Sequence, residues 1–142
     1  MNLDTPPCAV EIATYQISQT MLHALREIYR LFDGDIVLAM VLGELGQHAI
    51  SGNHKGGVPG QRAKLRHSNA HSISAASGIP RETVRRKLDK LLAKGWVIEL
   101  PDGGLSLNPA LDTPLHLQFV DYNRELLAHM RQTVSTLEGI EF

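Results

Sequence analysis

The chain has 142 residues, 43% of them hydrophobic, 20% charged and 5% aromatic. That is enough apolar material for one compact domain and too little chain for a multidomain enzyme. Fourteen Lys and Arg against fifteen Asp and Glu give a formal charge of -1, a total that by itself argues against a polyanionic partner.

The total hides an asymmetry. Within residues 52–95, ten basic side chains (Lys55, Arg62, Lys64, Arg66, Arg81, Arg85, Arg86, Lys87, Lys90, Lys94) meet two acids (Glu82, Asp89), a net of +8, and the remainder carries -9. The single Cys8 excludes an internal disulfide and fits a reducing compartment. Residues 1–10 lack a basic segment followed by an apolar stretch, and the longest apolar run, 36–42, is far short of the roughly 20 residues that span a bilayer. A cytoplasmic chain with no membrane segment is expected.

In chain order, residues 1–16, with Pro6-Pro7 and few periodic apolar positions, are expected to form an extended arm. Met21, Leu25, Ile28 and Phe32 then recur at helical intervals, with Leu22 and Tyr29 widening the stripe, and predict a helix over 18–32 that Gly34 stops. Asp35 is suited to cap a second helix running to about residue 50. There Ile36, Val37, Leu38, Met40, Val41, Leu42 and Leu45 cover nearly every face and predict burial on most sides. Residues 51–70, with four glycines, one proline and four basic side chains, read as a long loop.

A short alanine-bearing segment, 72–77, leads through Gly78-Ile79-Pro80 into a strongly periodic helix, 81–94, ended by Gly95. Segments 96–100 and 105–107 flank Pro101-Asp102-Gly103-Gly104, the composition of a β-hairpin. Pro109 and Pro114 punctuate the connection to a last helix, 115–137, with the stripe Phe119, Asn123, Leu126, Met130, Val134 and Leu137.

The segment SISAASGIPRETVRRKLDKLLAKGWVIELPDGGLSL, residues 72–107, resembles the winged helix-turn-helix of bacterial transcription regulators. Gly78 supplies the backbone freedom for a tight turn between crossed helices, Ala75 and Ala76 are small enough for close helix approach, and Ile79 can plug the angle between them. With Val84, Leu88, Leu91 and Leu92 inward, helical geometry sends Glu82, Thr83, Arg86, Asp89, Lys90 and Ala93 outward. The resemblance implies that Arg81, Glu82, Thr83 and Arg86 enter the major groove. Arg86 is suited to guanine, Glu82 to the cytosine amine and Thr83 to a thymine methyl. Ser72, Arg85, Lys87, Lys90 and Lys94 fall to the DNA backbone.

The order of elements also resembles the MarR-type (multiple antibiotic resistance) regulators, in which terminal helices build a twofold dimer. The fold this implies is mainly α with a small β-hairpin. One domain, 17–142, would comprise a winged-helix core at 34–108 and dimerisation helices at 17–33 and 114–138. Met21, Leu25, Ile28, Phe119, Asn123, Leu126, Met130 and Val134 are the expected dimer contacts, with Asn123 suited to setting register. Two features depart from the family. The wing turn carries Asp102 and no Lys or Arg, and the loop 52–70 is longer, so Lys55, Arg62, Lys64 and Arg66 are assigned to the DNA backbone in place of the wing.

Other signals lead elsewhere or nowhere. His67 and His71 have the spacing of two ligands on one helical face, but no Cys lies nearby and no acid occurs between Glu44 and Glu82, so no metal is expected. The glycine-rich stretch 52–60 lacks the Gly-Lys-Ser/Thr ending of a phosphate loop. No nucleophile, base and acid grouping is recognisable, so neither an enzyme nor a cofactor is expected. The expected partners are duplex DNA and a second copy of the chain. Two alternatives stand beside this: a winged-helix module whose basic face docks an acidic protein, and a sensor with an unidentified small effector between the dimerisation helices and the DNA-binding core.

Overall fold

A computed structural model describes residues 6–51, 69–109 and 114–140, and over these it is mainly helical with a two-stranded antiparallel sheet. The helices are α1 (Ala9–Leu31), α2 (Ile36–Ser51), α3 (Ala70–Ser77), α4 (Arg81–Ala93) and α5 (Pro114–Glu138), and the strands are β1 (Val97–Glu99) and β2 (Leu105–Leu107). The described residues form two compact units, those within 1–33 and 114–142 and those within 34–113.

In the first unit, the expectation of an extended arm through residue 16 is corrected: α1 begins at Ala9. The cause is local. Glu11 sits at the third helical position, where its carboxylate accepts from the free Cys8 N–H at 2.8 Å and lies favourably near the positive end of the helix dipole. Pro6 and Pro7 precede that start and so do not oppose it. Asp33 at φ 50° and Gly34 at φ 83° take the chain out of the helix.

α1 packs on α5 in the opposite sense, since Thr20 meets Thr133 (Oγ1 to Oγ1, 2.6 Å) while Phe32 meets Phe119 at the far end (ring centroids 6.1 Å). Phe119 also stands edge-on to Tyr122 at 6.0 Å. The middle of this seam is polar. His23 stacks on His129 at 4.2 Å, with Glu125 4.0 Å from His23 Nε2, and Gln16, Gln19, Thr20, His129, Gln132 and Thr133 line a cavity of about 140 Å³.

In the second unit, α2, α3 and α4 contact one another, and the hairpin packs on α2 and α4. Asp35 caps α2 as expected, Oδ1 accepting from Leu38 N at 3.0 Å. α2 is covered on most sides as expected: Leu38, Val41, Leu42 and Leu45 are buried, Ile36 and Val37 are half-buried, and of the apolar set Met40 is exposed. Ile73, Val84, Leu88, Leu91 and Val97 complete the core, with Leu92 half-buried at its margin.

α3 starts two residues earlier than expected because Asn69 caps it, its side chain accepting from Ser72 N at 2.9 Å. Gly78, at φ 75° and ψ 2°, closes α3 with its N–H on Ser74 O. Ala75 and Ala76 are exposed, so close helix approach is not their role. Ile73 supplies the contact, and Ser74 Oγ donates to Ile79 O at 2.6 Å to brace the turn. β1 and β2 pair in the register Val97↔Leu107, Ile98↔Ser106, Glu99↔Leu105, one residue shorter than expected at each end of the first strand. Asn108 closes the hairpin base, its side chain donating to Gly95 O at 2.7 Å.

Candidate nucleic-acid interface

Amphipathicity fixes which side of α4 is free. Val84, Leu88 and Leu91 share one face and are buried, which turns Glu82, Arg86, Asp89 and Ala93 to the opposite, exposed face with Lys90 beside them. Pro80 precedes the helix and offers it no side-chain cap, so among the described residues the first N–H groups of α4 have no side-chain acceptor. Arg81 through Lys94 contains six cations and two acids, a net of +4.

The cations are not equivalent. Arg85 donates from Nε and Nη2 to Glu82 at 3.0 and 2.7 Å and from Nη1 to Asp89 at 3.2 Å. Hydrogen bonding to Arg85 is the main reason the Glu82 carboxyl is held below its usual range, and the same contact raises Arg85. Lys87 is 20% exposed and donates to Asp35 Oδ2 at 2.7 Å, with Lys90 3.7 Å from the same oxygen. Lys94 lies over the Trp96 ring at 4.8 Å. Arg81 and Arg86, both exposed, form no hydrogen bond or ion pair with a described residue.

The expected base-contacting set is therefore divided. Arg81, Glu82 and Arg86 are exposed together at the start of α4, whereas Thr83 is half-buried on the flank that carries Lys87. Of the expected backbone set, Lys90 is exposed and Arg85 and Lys87 are engaged within the protein. Ser72 is half-buried, its hydroxyl donating to Asn69 O at 3.0 Å as part of the cap. Lys55, Arg62, Lys64 and Arg66 lie outside the described residues. Two acids were undervalued in sequence. Asp35 doubles as a cap and as the anchor of Lys87, and Asp89 closes a pair of contacts on Arg85. The spacing of Asp89 four residues after Arg85 was a visible signal for the second.

The expected dimer contacts also divide. Phe119 is half-buried within its own unit, with ring contacts to Phe32 and Tyr122. Ile28 and Leu126 are half-buried, Asn123 is exposed, and Met21, Leu25, Met130 and Val134 stand out in solvent at 59%, 47%, 50% and 53% exposure. At 100° per residue, Ile17, Met21 and Leu25 on α1 and Leu127, Met130 and Val134 on α5 fall to the same side of the antiparallel pair.

Comparison with protein-family models, curated proteins and solved structures found no match. Among the described residues no group of three or more His, Cys, Asp or Glu side chains is disposed to hold a metal ion, and no helix is long and apolar enough to cross a membrane.

Proposed function

We propose that the chain is a sequence-specific double-stranded DNA-binding protein, a homodimeric transcriptional regulator of the winged helix-turn-helix, MarR-like type. The observation that carries this reading is α4 itself. It follows α3 across the left-handed Gly78 turn, is followed by the β1–β2 hairpin, and exposes Arg81 at its first position and Arg86 on its outward face, neither in a hydrogen bond or ion pair with a described residue. A guanidinium in that position matches the paired acceptors of guanine in the major groove. Regulation then needs no chemistry, because occupancy of an operator blocks or recruits other proteins.

The apolar stripes on one side of α1 and α5 supply the second half of the proposal. Exposed contiguous side chains of this size cost solvation in a monomer and are relieved by a twofold partner. Two copies would present two α4 helices to half-sites about 34 Å apart. The segment 52–68, with four cations and no acid, adds sequence-independent attraction to phosphate.

Selection of binding sites from random duplexes in the presence of competitor DNA tests the reading. Enrichment of a palindrome, with affinity falling as salt rises, is expected. Failure to enrich any sequence, together with salt-dependent capture by an acidic protein, would favour the protein-docking alternative.

A further inference from the structure

We propose that Glu82 and Asp89 form a clamp that withholds Arg85 from DNA phosphates, making them determinants of discrimination between cognate and random DNA. The inference rests on the DNA-binding reading.

A helix intended for tight, indiscriminate binding to a polyanion would carry no acids on its outward face. Here the exposed line runs Glu82, Arg86, Asp89, alternating in sign, and Arg85 leans from the flank onto both carboxylates through three hydrogen bonds of 2.7 to 3.2 Å. All three clamp residues are more than half exposed. An exposed ion pair is weak, so the clamp is a competitor for phosphate and not a structural strut. At random sequence the two carboxylates face phosphates and groove acceptors and oppose binding, while Arg85 stays with them. At a cognate site a carboxylate gains a donor, the cytosine amine, and the opposition is relieved there alone. Removing the acids therefore strengthens binding where it is least wanted.

The test measures binding to a random-sequence duplex over a range of NaCl concentrations. It uses the wild type, the double variant Glu82→Gln/Asp89→Asn, Arg85→Ala, and the triple variant, each checked for an intact fold by circular dichroism. The double variant should bind random duplex about threefold more tightly, with the salt dependence steeper by about 0.9 for each Arg85 released. The steeper salt dependence should vanish and the gain in affinity should shrink in the Arg85→Ala background, where only the direct repulsion of the carboxylates is left to lose, because the cycle isolates the coupling from the change in net charge. A gain of the same size without Arg85 is a net-charge effect and overturns the clamp, as does the absence of any gain. If the wild type itself shows no salt-dependent binding to any duplex, the DNA-binding reading falls first and the clamp falls with it.

Discussion

Lys87 donates to Asp35 Oδ2 at 2.7 Å while the other oxygen of the same carboxylate accepts from Leu38 N at 3.0 Å. One side chain thus starts α2 and ties it to the middle of α4. Asp35→Ala should cost about 1 to 3 kcal/mol, combining a lost cap with a stranded ammonium. Partial burial pushes the Asp35 carboxyl up, but the hydrogen bonds from Lys87 and Leu38 and the charges of Lys87 and Lys90 outweigh it, leaving the group below its ordinary value. A depressed carboxyl contributes stability above the unfolded value, about pH 4, and loses it as pH falls through the folded value. Urea unfolding should therefore separate wild type from Asp35→Ala near neutrality, with the gap narrowing below about pH 4. A constant gap would sink the electrostatic part of this account.

Arg86 and Lys87 are neighbours in sequence with opposite assignments. Arg86 points outward with no hydrogen bond or ion pair to a described residue, and Lys87 is tied to Asp35. Arg86→Ala should weaken the preferred site by about 1 to 3 kcal/mol and relax preference at one base pair. Site selection repeated on the variant checks it, and an unaltered preference removes Arg86 from the reading set.

Met130 is half exposed on α5, beside Val134 and on the same side as Met21. A charge there would have to be desolvated in an apolar interface, at a cost of several kcal/mol. Met130→Glu should fold yet lower dimer affinity, and should weaken operator binding with it. Sedimentation equilibrium decides. A monomeric wild type at micromolar concentration, or a folded variant as dimeric as the wild type, refutes the interface.

Gly78 ends α3 at φ 75°, and a Cβ built there would meet no heavy atom within 4 Å. Any cost of Gly78→Ala is therefore conformational and not steric, about 1 kcal/mol. The melting temperature should fall by several degrees. An unchanged value would mean that the turn adapts without the left-handed conformation.

Some of this was written locally in the chain and some was not. The alternation of Val84, Leu88 and Leu91 gave away which side of α4 is buried, and the Gly78 and Gly95 positions marked where helices end, because helix periodicity and left-handed turns depend on neighbours a few residues apart. The same sequence could not disclose that Lys87 belongs to Asp35, 52 residues away, because an ion pair between helices depends on how they cross. Nor could it disclose that Phe119, an expected dimer contact, meets Phe32 and Tyr122 where α1 packs on α5. A hydrophobic stripe states that a face avoids water. Which surface covers it is decided by tertiary contacts, and on α1 and α5 those contacts take the polar seam of Thr20, His23, His129 and Thr133, leaving Met21, Met130 and Val134 in solvent.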